Sequence, residues 1–358
     1  MGASSASAAT AACGTGTLIT GTTTCQQVFT SPGTFTPTAQ MTKLEVLLVG
    51  GGGNGSAAPP VTGTAGYAAA GGGGEVKVVD FSTHNTTLIT VTPGAAGVQT
   101  SVTATGITAN AGAGGIGQLS RGAAVGGASG GTPSNLGSST ADTATPPNTY
   151  GAGGGAGGAA SGITGGAGIL VSTLPSALFT NDTQCFGGGG AVAMSGTAGL
   201  PGCGGGSANA TGTALSLPVA NSGGGGGAGL AANGESGAAG YVEIRWNAPT
   251  VVLSFNHGRG SAVADETVVQ GTAPTKPADP TASGFEFKGW YTDAQLTTLA
   301  DFSAPLTASA TFYARFDPAL AATGGAPNPV ELPIGIAALL AGAALLTVST
   351  VRRRREDY

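Results

Sequence analysis

A mainly β protein with a single membrane-crossing helix at its C-terminal end is the fold class predicted by this 358-residue sequence. Three observations carry that prediction. Short segments alternate valine or isoleucine with charged residues, the period-2 pattern of strands with one buried face. Pro-Gly pairs and glycine clusters punctuate those segments as turns. Near the C-terminus the run 332–351 holds no charge and spans about 30 Å as a helix, enough to cross a bilayer.

Composition narrows the function classes. Glycine supplies 68 residues and only 8 % of the chain is charged, against about 7 % and 25 % in ordinary globular domains. No strict Gly-X-Y period exists, which excludes collagen, and the low charge excludes a charge-swollen disordered chain. Net charge is −5, and four of the twelve basic residues stand together at Arg352, Arg353, Arg354 and Arg355. The body therefore lacks the basic face that a nucleic-acid binder needs. His84 and His257 lie in separate regions, so no histidine-centred catalytic or metal site can be assembled, and neither metal nor cofactor is expected.

Residues 1–27 read as an N-terminal segment: the remnant of a signal peptide, without a basic or leucine-rich part, followed by a cysteine pair. The four cysteines fall into two local pairs, neither with the short spacing of a zinc knuckle. Two disulfides, Cys13–Cys25 and Cys185–Cys203, are favoured over free or cross-paired thiols. Each would close a short loop and imply an oxidising, extracellular compartment.

Residues 28–247 form the body. It opens on Val28-Phe29-Thr30-Ser31-Pro32-Gly33-Thr34-Phe35, a Pro-Gly turn between β-prone pieces. Strands are expected over 43–49, 75–79, 87–91 and 241–246. Val76 and Val78 should face a core while Glu75 and Lys77 face water, and Val242, Ile244 and Trp246 should share one face. Between Phe81 and Gly234 only Arg121, Asp142 and Asp182 carry a full charge, and glycine tracts recur. Such a segment is either disordered or packed backbone against backbone in polyproline-II-type strands. The opening motif and the closing Val-x-Ile-Arg-Trp strand resemble the glycine-rich domain of bacterial surface proteins and phage tail adhesins.

Residues 251–316 form a second module, which holds nine of the nineteen aromatic residues. Val251, Leu253 and Phe255 share a strand face, Glu266 to Gln270 is a second strand, and Pro274, Pro277 and Pro280 mark an extended connection. Trp290 and Tyr291 could stack on a carbohydrate, but at this density the aromatics read as the core of a small domain. Asp293 and Asp301 read as ordinary loop carboxylates rather than as an acid–base pair. Phe255-Asn256-x-Gly258, Lys276-Pro277-x-x-Pro280, Gly284-Phe285-x-Phe287-x-Gly289-Trp290-Tyr291 and Phe312-Tyr313-Ala314 together resemble the Listeria–Bacteroides repeat, the B-repeat of internalin-type proteins. That resemblance implies a small β-grasp-like unit.

Residues 317–358 close the chain. Leu320-Ala321-Ala322-Thr323-Gly324, a proline-containing spacer, the span 332–351 and the four arginines follow one another in that order. Arginine directly after an apolar span marks the cytoplasmic side. The arrangement resembles the cell-wall sorting signal of Gram-positive bacteria, in the variant of high-GC species with alanine at the second position. Leu320, Ala321, Thr323 and Gly324 would then be read by a sortase, and Thr323 would be joined to peptidoglycan. The expectation is a non-enzymatic, wall-anchored extracellular protein whose glycine-rich domain serves adhesion or wall structure, with the membrane as a transient partner before sorting. The alternative is a single-span membrane-tethered spacer without a ligand of its own.

Overall fold

The computed structural model describes residues 13–319 except for 39, 59–64, 85–86, 121–122, 131–133, 142–146, 195–196, 209–214 and 230–233. Of these, one compact unit takes the residues up to Ser254 with Ala264–Lys276 and Asp301–Thr311. The other takes Phe255–Val263, Pro277–Ala300 and the residues from Phe312 onward.

Strands dominate. In chain order the principal ones are β1 (Thr17–Leu18), β2 (Thr24–Phe29), β3 (Gly33–Phe35), β4 (Leu44–Val49), β5 (Val76–Asp80), β6 (Ile89–Thr92), β7 (Thr100–Ala104), β8 (Ile107–Ala111), β9 (Tyr241–Asn247), β10 (Thr250–Asn256), β11 (Glu266–Val269), β12 (Phe285–Tyr291) and β13 (Ala310–Pro318). The strand expected over 87–91 starts two residues later, leaving Leu88 exposed, and the one expected to reach Gln270 stops at Val269.

Two antiparallel sheets frame the first unit. One has the order β1-β2-β9-β4-β5, the other β8-β7-β6-β3. The register of the first sheet sets Cys25 opposite Trp246 and Trp246 opposite Leu44. Its face bearing Leu44, Val46, Leu48, Val242, Ile244 and Trp246 packs into one core with Phe35, Ile89, Val91 and Val102 of the second sheet. Trp246 and Phe35 meet at 4.9 Å between ring centroids. Burial of these side chains is the main stabilising term, each contributing about 1.5–3 kcal/mol. The core also reaches upstream of residue 28: Cys13 and Cys25 are buried in it and joined by a disulfide.

Alternation alone does not reveal that the first sheet is covered on both faces. Every residue of β4 is buried, and so are Tyr241 to Trp246 in β9. The second face carries Leu47, Val49, Val76 and Tyr241, packed against Val171, Phe179 and Phe186 of the glycine-rich region, with Val78 joining at the margin. Lys77 is half-buried and Glu75 accepts hydrogen bonds from Gly112 N (2.7 Å) and from the Lys77 ammonium (3.1 Å), so neither is simply solvent-facing.

The glycine tracts are packed, with a period of three. Along one segment, Ala70 and Gly73 donate to the carbonyls of Gly151 and Gly154. Gly71 and Gly74 donate to Gly226 and Gly223, and Gly72 and Glu75 donate to Gly115 and Gly112. All six bonds measure 2.7–2.9 Å. The first neighbour runs parallel and the other two antiparallel. A β-strand bonds in two opposite directions; bonding in three directions with a three-residue repeat belongs to the polyproline-II threefold helix. Of the two states left open by composition, packing backbone against backbone is the one adopted.

Only glycine fits such contacts. A Cβ on Gly53 would lie 1.9 Å from the Gly115 carbonyl oxygen, and one on Gly189 would lie 1.9 Å from that of Gly153. The second disulfide, Cys185–Cys203, lies among these strands: Cys203 accepts a hydrogen bond from Gly188 N at 3.0 Å.

In the first unit, β10 pairs antiparallel with β11, with Leu253 opposite Glu266. In the second unit, β12 pairs antiparallel with β13, so that Phe287 faces Phe316 and Trp290 faces Ala314. A bulge between Phe287 and Gly289 shifts the register, and Gly289 adopts φ +135°, a conformation that disfavours a side chain. Trp290 is 2 % exposed and stacks edge-on to Phe255 (4.9 Å) and Phe287 (5.6 Å). It is a core residue and has no face to offer a sugar.

Candidate functional site

The least ordinary chemistry of the described residues lies on the second face of the five-stranded sheet. Alternation along β9 sends Tyr241, Glu243 and Arg245 to that face, and the register places Glu45 of β4 directly opposite Arg245. Glu45, Glu243 and Arg245 are all more than nine-tenths buried. Ionised groups removed from water need partners, and a loop over 174–184 supplies them.

Glu45 accepts hydrogen bonds from the Ser176 hydroxyl (2.6 Å) and the amides of Ala177 (3.1 Å) and Leu178 (2.9 Å), with the Lys43 ammonium 3.3 Å away. Desolvation pushes its carboxyl up, but these donors outweigh it and hold the group below its usual range. Arg245 donates from Nε to Glu243 (2.6 Å), from one terminal nitrogen to the Leu178 carbonyl (3.1 Å), and from the other to Asp182. Its guanidinium also lies 4.1 Å above the Phe179 ring. The Tyr241 hydroxyl donates to Glu243 at 2.8 Å. Burial first, then the Glu243 carboxylate, raises that hydroxyl far above its ordinary value. Every ionised group here is committed to a partner, so the cluster acts as a clamp holding the loop on the sheet.

Beside the clamp opens a cleft of about 380 Å³, lined by Ile19, Gln26, Leu178, Asn181, Thr183 and Arg245 among others. Sequence reading missed Glu45, Glu243 and Arg245, because their alternation with apolar residues is that of any half-exposed strand. One signal was visible. Asp182 is one of three charges in the long uncharged insertion, and it is the one that meets Arg245.

The residues singled out by sequence fall elsewhere. Asp293 accepts hydrogen bonds from the amides of Thr297 and Thr298, and Asp301 from Ser303; these local turns lower both carboxyls. His257 Nδ1 lies 2.9 Å from the Gly260 carbonyl in a turn of the second unit. The structure joins Cys13 to Cys25 and Cys185 to Cys203, the favoured pairing. Among the described residues no group of three or more His, Cys, Asp or Glu could hold a metal ion, and no helix is long and apolar enough to cross a membrane. Leu320, Ala321, Thr323 and Gly324, the span 332–351 and Arg352 to Arg355 lie outside the described residues.

Three similarities to known proteins bear on this arrangement. Residues 252–315 match the Listeria-Bacteroides repeat domain. A protein described as a Gly-rich membrane protein from Evansella cellulosilytica is 32 % identical over 74 residues, 20 % of this chain and 9 % of that protein. The chain thus spans about a tenth of that relative's length. Residues 28–247, well over half of the chain, match the glycine-rich domain; this interval runs from within β2 to the end of β9, enclosing strands β3 to β9, the clamp and the glycine lattice, and the chain belongs to the glycine-rich domain family.

Proposed function

We propose that this is a non-enzymatic cell-surface protein, covalently anchored to peptidoglycan by a sortase, whose glycine-rich domain is displayed for adhesion or wall structure. The observation that carries the proposal is the order of the C-terminal signals: Leu320-Ala321-Ala322-Thr323-Gly324, the apolar span 332–351, then Arg352, Arg353, Arg354 and Arg355. The disulfides support an oxidising compartment. The membrane-protein relative and the repeat match support a place at the cell surface.

In the proposed reaction the sortase thiolate attacks the Thr323 carbonyl, and the Thr323–Gly324 amide breaks with the Gly324 amine leaving. A peptidoglycan amine then attacks the thioester, forming an amide and freeing the thiol. The span holds the chain in the membrane until that step, and the arginines stop its passage.

Fractionation of the native host, with mass spectrometry of the C-terminal peptide, tests the reading. Muralytic digestion should release a form ending at Thr323 linked to a peptidoglycan fragment, and Thr323→Ala should abolish it. A protein extracted by detergent that still carries Arg352 to Arg355 would instead be the single-span membrane-tethered spacer.

A further inference from the structure

We propose that the cleft beside the Arg245 clamp is a binding site for a neutral saccharide; this deepens the adhesive part of the reading above and is independent of the anchoring. The cleft's volume of about 380 Å³ falls within the roughly 300–1,000 Å³ of small-ligand sites. Its walls come from two parts of the first unit: β2 with the turn before it, through Ile19, Thr24 and Gln26, and the loop tip from Ala177 to Gln184.

Charge decides the ligand class. The two ionised residues in the lining, Arg245 and Asp182, are bonded to each other and buried. The Arg245 Nε–H goes to Glu243, a second carboxylate, and one N–H of its other terminal nitrogen to the Leu178 carbonyl. An anion would meet a guanidinium whose charge is already matched by Asp182 and Glu243, and a cation would find its acidic partner already neutralised. The polar side chains left over are of another kind. Gln26, Thr180, Asn181 and Thr183 line the cleft, and among the described residues their side chains make no hydrogen bond. Hydroxyls and carboxamides both donate and accept, which matches the vicinal hydroxyls of a sugar. Ile19, Ala177 and Leu178 add apolar surface for the C–H face of a pyranose ring.

The loop that carries these groups is held in place from beneath. Glu45 binds its start at Ser176, Ala177 and Leu178, while Arg245 binds Leu178 and Asp182. Burying such ionic groups is costly and is weak evidence for stability. Fixing the position of a polar loop tip gives the clamp a purpose, because preorganised groups lose less entropy on binding.

The test probes the full-length, disulfide-intact protein on an array of uncharged oligosaccharides, followed by calorimetry with the best free sugar. Binding is expected to be insensitive to salt, weakened tenfold or more by Asn181→Ala with Gln26→Ala, and abolished by Thr183→Trp, which fills the cleft. All three positions lie at or near the surface, and an unchanged melting temperature confirms that the variants fold. Absence of binding to every neutral glycan, or binding that survives Thr183→Trp, overturns the site. Neither result alters the C-terminal mass that reports on anchoring, so the two readings fail separately.

Discussion

A Cβ built on Gly153 would sit 1.9 Å from the carbonyl oxygen of Gly71, a backbone atom that already accepts a hydrogen bond from Gly190 at 2.9 Å. Neither partner can yield, because each is held by further strands. Gly153→Ala is therefore expected to destabilise the first unit by about 3 kcal/mol or more, at or beyond the upper end of ordinary overpacking. Gly158→Ala is the control. Its Cβ would lie 3.7 Å from that of Ala167, an ordinary contact. Thermal denaturation of the two variants should show a large drop for the first and almost none for the second.

Glu45 gives the structure an acid-sensitive joint. Its folded-state carboxyl is held below the usual value. Its contribution is thus fully present above the ordinary carboxylate range and is lost as pH falls through the lowered folded value. Glu45→Gln keeps the shape but replaces charge-assisted bonds with neutral ones. It should cost about 1–2 kcal/mol at pH 7. The gap to the parent protein should narrow when melting is followed down to pH 3. A gap that stays constant with pH would show that the charge of Glu45 does not hold the loop.

The Cys185–Cys203 bridge closes a loop with a sequence separation of 18 inside the glycine lattice. Replacing both cysteines by serine should lower stability by about 3 kcal/mol, on the loop-entropy argument. Denaturant titration of the oxidised parent and the double variant measures it. The parent's midpoint should fall on reduction, while the variant, which retains Cys13–Cys25, should respond less.

Most of the frame was legible in the sequence because strand alternation and Pro-Gly turns are local signals. Val242, Ile244 and Trp246 could be placed on one face from their alternation alone, and they share the core. The lattice was legible only as a choice, since glycine composition permits both an ordered and a disordered chain, and hydrogen bonds between distant segments decide. The clamp was hidden for a different reason. Glu45, Glu243 and Arg245 look like the wet side of their strands until the chain from 171 to 186 folds over them, a relation across 131 positions between Glu45 and Ser176 and 63 between Arg245 and Asp182. Trp290, by contrast, was assigned to the core from aromatic density and is found there.

The threefold repeat of the glycine strands also bears on how the chain finds its native form. A run such as 223–227, slid by three residues along its neighbour, presents nearly the same row of donors and acceptors, so the lattice has little means of telling one alignment from the next. The marks that break this degeneracy are the places where glycine stops: the apolar strand β4 leading into Gly50, Glu75 at the end of the tract 71–74, and Cys185 just before Gly187. Assembly of this domain is therefore a search for alignment more than for contacts, and the scattered non-glycine residues serve as its rulings.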